Sequence, residues 1–137
     1  MAAGYSGTPL PQKLGIKEDH KVVLLGAPAG FDKTLGALPI GAVVAKKLAG
    51  KTPLDVVVVF VKKQAGLAGK IADVRPRMAP AAGLWIAWPK KSSGVVTDMT
   101  EQVIRDVALP TGLVDNKVCA IDEIWSGLRL VIRRENR

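Results

Sequence analysis

Asp55-Val-Val-Val-Val-Phe-Val61 decides the fold. After its opening aspartate every residue is apolar and most are β-branched, so the strand it forms must be covered on both faces. Such a strand belongs in the middle of a mostly parallel sheet with helices on each side. The rest of the chain is read outward from this centre.

Upstream, Lys21-Val-Val-Leu-Leu-Gly26 is a second buried strand that stops at glycine. Ala27-Pro-Ala-Gly30 is a turn, and Phe31, Leu35 and Leu38 predict a brief helix after it. Residues 42–48 form a weaker strand, diluted by alanine and lysine. Before these, Thr8 can cap a short helix opened by Pro9 and closed by Gly15, and residues 1–7 read as a loose arm. Downstream, Leu67, Ile71, Val74 and Met78 recur at helical spacing, with Pro76 ending or kinking that helix. Gly83-Leu-Trp-Ile-Ala-Trp88 is another buried strand. Asp98 and Glu101 open a helix in the manner of a capping box, and Pro110 with Gly112 closes it. The spans 117–121 and 128–133 are closing strands joined by Asp122-Glu-Ile-Trp-Ser-Gly127. Strand and helix in alternation, finished by a hairpin, predict one three-layer, Rossmann-like α/β domain over 1–137, with a mostly parallel sheet of about six strands.

Composition narrows the function classes. The longest apolar run is far too short to span a bilayer, and no signal-peptide layout opens the chain, so a cytoplasmic protein without a membrane partner is expected. One cysteine excludes an internal disulfide, and one histidine with one cysteine excludes the usual zinc sites. The net charge of +8 points to an anionic partner: a phosphorylated small molecule, an acidic protein or nucleic acid. No nucleic-acid reader motif supports the last of these. The charge is also concentrated at the end, where Arg129, Arg133, Arg134 and Arg137 crowd the last nine residues.

Ligands of open parallel sheets bind beyond the carboxyl ends of the strands. The sequence sends to that edge the turn of Gly26 and Gly30, the pairs Lys62-Lys63 and Lys90-Lys91, the hydroxyls of Ser92 and Ser93, and Trp125. These are the candidate ligand-binding residues. Lysines and serines before a helix suit an oxyanion, while the same residues also suit a solvated loop. Trp125 could cover a pocket or anchor the hairpin. The glycine turn is neither G-x-G-x-x-G nor a Walker loop, and Pro28 removes an amide, so no usual cofactor is expected. Trp85 and Trp88 fall on opposite faces of their strand, and Cys119 between Val118 and Ala120 reads as a buried small hydrophobe. His20 reads as exposed. Asp122 and Glu123 are adjacent and cannot share a proton as a dyad, and the serines have no neighbouring base, so no catalytic residue is assigned.

From Asp55 onward the element order resembles the second half of a class I methyltransferase domain. That resemblance implies the strand order 2-1-3-4-6-5, with the last strand inserted antiparallel. A second resemblance runs along the chain: Tyr5-Ser-Gly-Thr-Pro-Leu10, Leu14-Gly-Ile16, Leu24-Leu-Gly-Ala-Pro28, Leu84-Trp-Ile-Ala-Trp-Pro-Lys-Lys91, Asp98, Gly112-Leu-Val-Asp115, Lys117-Val-Cys119 and Asp122-Glu-Ile-Trp-Ser-Gly127. These are similar to a bacterial family of short stand-alone proteins known only as a domain of unknown function, which implies neither activity, cofactor nor partner. The leading expectation is therefore a non-enzymatic binding or regulatory domain for an anionic ligand or protein at the carboxyl edge. The alternatives are a divergent or degenerate S-adenosylmethionine-dependent methyltransferase-like enzyme and a non-specific nucleic-acid binder.

Overall fold

A computed structural model describes residues 8–137, so the expected arm over 1–7 lies outside the described residues. The valine run forms β3 (Leu54–Phe60), buried from Val56 to Phe60 as its composition requires. It is flanked by β1 (Lys21–Leu25) and β4 (Met78–Pro89). With β2 (Val43–Ala45), β5 (Leu113–Ala120) and β6 (Trp125–Ile132) the sheet has six strands in the order β2-β1-β3-β4-β6-β5. The first four run parallel, β6 is inserted antiparallel beside β4, and β5 pairs antiparallel with β6. Fold class and strand order are those expected.

Two helical layers close the sheet. On one face α1 (Leu10–Leu14), the Ile16 that follows it and α2 (Phe31–Leu35) pack Leu14, Ile16, Phe31 and Leu35 against Val56, Val58, Trp85 and Ile121. On the other, α3 (Leu67–Val74) and α4 (Glu101–Ala108) pack Leu67, Ile71 and Ile104 against Val57, Val59, Leu84 and Leu130. Trp85 and Trp88 divide between the two faces as strand alternation demands, and both are buried. The Trp85 indole N–H donates to the carbonyl of Leu14 at 3.0 Å, which fixes α1 on the sheet.

Several boundaries depart from the sequence reading. β4 starts at Met78, five residues before Gly83, because the register slips between Leu54 opposite Met78 and Val56 opposite Gly83 and the extra residues bulge out around Pro80. The closing strands begin early, at Leu113 and Trp125, so the hairpin connection is shorter than expected. Asp98 does not cap α4; the Thr100 hydroxyl accepts from the Val103 N–H at 3.1 Å. Thr8 makes no cap bond to α1, whose N-cap is Pro9, while Gly15 closes it in the left-handed conformation as expected. His20 and Cys119 are each partly buried, and the His20 Nδ1 accepts from the Lys17 N–H at 3.1 Å. No helix among the described residues is long and apolar enough to cross a membrane.

Candidate functional site at the carboxyl edge

The strand order reverses between β1 and β3, and what the sequence puts at the ends of these two strands builds a cavity there. Gly26 ends β1 with φ +73°, and a Cβ on it would lie 3.1 Å from the Phe60 carbonyl oxygen. Glycine is therefore needed twice over, for the left-handed turn and for close passage against β3. Phe60, which ends the valine run, meets Phe31 edge-on at 4.9 Å and Trp125 edge-on at 5.1 Å. Trp125 is only 5% exposed. Its place is set by Asp122, whose Oδ1 accepts from the N–H groups of Ile124 and Trp125, both at 2.8 Å. Of the two roles open to Trp125, anchoring of the hairpin is met by this packing, and its edge also faces the cavity.

The cavity has a volume of about 390 Å³ and is lined by Gly26, Pro28, Phe60, Lys62, Lys63 and Trp125, among others. Four of the nine candidate residues, Gly26, Lys62, Lys63 and Trp125, thus come together. Gly30 stands away from it, with φ +82° and open space where a Cβ would be, as the N-cap of α2. The loop after β4 takes the other four elsewhere. Lys91 lines a separate cavity of about 380 Å³ with Trp88, Asp98, Thr100 and Glu101. Ser92 is exposed, and the Ser93 hydroxyl is used within the loop, donating to the Lys90 carbonyl at 2.6 Å and accepting from the Val95 N–H at 3.2 Å. The Lys90 N–H donates to the Ile124 carbonyl at 2.7 Å, fastening the loop to the hairpin.

The loops after β3 and β4 are also tied to each other. The Gln64 N–H donates to the Asp98 carboxylate and its side-chain amide to the Asp98 carbonyl, both at 2.7 Å. The Thr97 hydroxyl donates to the Lys62 carbonyl at 2.6 Å. Asp98 is thus a clip and not a helix cap. Sequence reasoning missed Phe60 and Ala65, which line the cavity. Phe60 alone carried a signal, as the single aromatic in the strand that fixes the fold.

No protein-family model matches the chain, and no curated protein matches it in sequence. The resemblance to a bacterial family of unknown function therefore gains no support. Solved structures do match, several of them methyltransferases. An S-adenosylmethionine-dependent methyltransferase from Aquifex aeolicus is 15% identical, with a TM-score of 0.58 over 88% of this chain and 87% of that one. A TehB-like S-adenosylmethionine-dependent methyltransferase from Corynebacterium glutamicum is 10% identical, with a TM-score of 0.58 over 96% and 91%. Aeropyrum pernix fibrillarin, solved with natively bound S-adenosyl-L-methionine, is 13% identical, with a TM-score of 0.55 over 93% and 70%. At such identities the likeness establishes the fold, which is the methyltransferase-like α/β sheet. This overturns the leading expectation of a non-enzymatic binding domain. An architecture shared nearly end to end with methyltransferases favours the methyltransferase-like alternative, which sequence had ranked lower because the glycine turn lacks their fingerprint.

The cavity fits such a cofactor in part. Phe60, Trp125 and Pro28 offer an apolar wall for a flat ring beside the open backbone of Gly26. The usual carboxylate for ribose hydroxyls is missing, since β2 runs into Lys46 and Lys47. The nearby acid, Asp32 in α2, is engaged by Lys46 at 2.9 Å. Pro28 supplies no N–H, and its carbonyl accepts from Phe31 at 3.1 Å.

Proposed function

We propose that the chain is a divergent S-adenosylmethionine-dependent methyltransferase-like protein, and that the cavity of Gly26, Phe60, Lys62, Lys63 and Trp125 is its ligand site. One observation carries the reading: a cavity opens at the point where the strand order reverses, in a sheet whose order is that of methyltransferases. In this reading Phe60 and Trp125 hold the ring of the ligand and Gly26 admits its backbone-side edge. Lys62 and Lys63 stand at the mouth, where they would meet a carboxylate or an anionic acceptor. The neighbouring Gly30, Lys90, Lys91, Ser92 and Ser93 belong to loops of the same edge and are further candidates for contact with an acceptor. The absent ribose carboxylate marks the divergence, and predicts weaker binding than an acid at that place would give.

Calorimetric titration with S-adenosylmethionine and S-adenosylhomocysteine tests this. Binding is expected for the wild-type chain and is expected to be lost in Ala65→Trp, which fills the exposed rim of the cavity without entering the core. Thermal unfolding of the variant checks that it is folded. Absence of heat and of any thermal shift with both compounds at millimolar concentration would overturn the reading, as would unchanged binding by the folded variant.

A further inference from the structure

The sheet face beneath α1 and α2 changes character part-way along β4. Its apolar cluster reaches from Ala87, Ile121 and Trp125 back to Trp85. Beside Trp85 on the same face stands Arg129, beside Arg129 stands Lys117, and one step further Gly83 faces Val131. Two cations therefore sit directly opposite each other on adjacent strands, an arrangement that destabilises a sheet.

Arg129 is partly buried and lies over Gly83, where a Cβ would fall 2.5 Å from its Nε and 3.0 Å from its Cζ. Any side chain on residue 83 would displace the guanidinium. Among the described residues no ion pair and no hydrogen bond reaches the side chain of Arg129, whose backbone is taken up in the ladder. The ion pairs there are Lys46–Asp32, Arg105–Glu101, Arg105–Asp115 and Arg133–Glu135, so Asp115 on β5 and Glu135 in the closing turn are both engaged elsewhere. Residues 1–7 contain neither aspartate nor glutamate and cannot supply a carboxylate side chain. Lys117 donates once, to the Lys13 carbonyl at 3.3 Å. Arg137, held by its Nε on the Ile132 carbonyl at 2.9 Å, adds a third charge. Burial first, and the repulsion of Arg137 second, depress the Arg129 guanidinium below its ordinary range. An acid would relieve this, and among the described residues none pairs with Arg129.

We infer that Arg129, Lys117 and Arg137 form a phosphate-group site on this face, separate from the carboxyl-edge cavity. The guanidinium presents paired N–H donors to phosphate oxygens, an oxyanion beside it offsets the repulsion of Arg137, and Lys117, its cross-strand neighbour, is within a side chain's length of the same place. An inorganic phosphate and the phosphodiester of a nucleic-acid strand bear the same oxygens, so the experiment separates them.

Wild type, Arg129→Gln and Lys117→Gln are compared by thermal unfolding in sodium phosphate against sodium chloride at equal ionic strength. Their binding of a fluorescein-labelled single-stranded oligonucleotide is followed by anisotropy. For wild type, phosphate is expected to raise Tm beyond chloride, or the oligonucleotide to bind with steep salt dependence. The first response alone identifies a single phosphate group, and the second a phosphodiester chain. Either response is expected to weaken about tenfold or more in Arg129→Gln. Lys117→Gln is expected to lose the response while matching or exceeding wild-type Tm in chloride, since removing a cation relieves repulsion. That second variant keeps the test valid if Arg129→Gln folds poorly. Equal Tm in phosphate and chloride without oligonucleotide binding overturns the site, as do variants that respond like wild type.

Discussion

The two helical layers of this molecule are built to different standards. On the α3/α4 side the helices are eight residues long, and α4 begins on a Thr100 side-chain cap. Arg105 of α4 bonds Glu101 at 2.9 Å within the helix and Asp115 of β5 at 3.0 Å, fastening the layer to the sheet. On the other side α1 and α2 have five residues each and no side-chain cap. A helix so short has almost no stability of its own, so this layer is held by what it buries: Leu14, Phe31 and the Trp85 indole. The aromatic cluster that substitutes for helix length there also walls the candidate cavity. One layer is self-supporting, and the other exists through its contacts with the sheet and bears the candidate cavity.

The contrast can be broken most severely at Trp85. Trp85→Ala removes a fully buried side chain and orphans the Leu14 carbonyl, and is expected to cost about 3–5 kcal/mol in urea unfolding. Hydrogen exchange should show α1 and α2 losing protection before α3 and α4; equal loss in both layers would erase the distinction. Gly26→Ala comes next. Its left-handed φ and the close Phe60 carbonyl predict a loss of about 1–2 kcal/mol, together with weaker binding of S-adenosylmethionine at the proposed site. Unchanged stability and binding would detach that turn from the site. Thr100→Ala is expected to cost about 1 kcal/mol while leaving cofactor affinity as in wild type, because the cap serves the layer remote from the aromatic wall. The smallest effect concerns Cys119. Burial is the main influence on its thiol and raises the pKa, against the opposing charges of Lys13 and Lys117. Alkylation should therefore be slow at neutral pH and reach half its maximal rate at a higher pH than a free thiol does, with Lys117→Gln moving that midpoint further up.

Much of the α3/α4 half was legible because its signals are local. The valine run, the spacing of Leu67, Ile71 and Val74, and the alternation around Trp85 and Trp88 each specify their element without help from distant residues. Residues 78–82 were not legible as strand, since Pro80 and alanines carry no β signal and the extension depends on a bulge against β3. Asp98 was misread for a related reason. Its position suited a helix cap, but Gln64, a residue 34 places away, claims its carboxylate. At the site, the glycine turn, the lysine pair after β3 and Trp125 were recognised as one edge. The sequence could not show that the loop after β4 spends Ser93 and the Lys90 N–H on its own fastening, or that Phe60 and Phe31 build the wall between strands. Such pairings follow from the folded path and leave no mark in composition.

The outer rim of β2 has a consequence for how the protein behaves among its own copies. This strand has a half-exposed Val43, with Ile40 almost fully exposed just before it, and its outward N–H and C=O groups pair with no other strand of the sheet. A longer strand of that kind would template growth of a sheet from molecule to molecule. Here the strand stops after three residues and Lys46 and Lys47 follow at once. A second molecule docking rim to rim would gain few hydrogen bonds across so short a ladder, and the exposed Lys47 would crowd its end, Lys46 being held by Asp32. Shortness and charge at this rim thus act as colloidal protection, and concentrated solutions should become less tolerant as added salt screens those lysines.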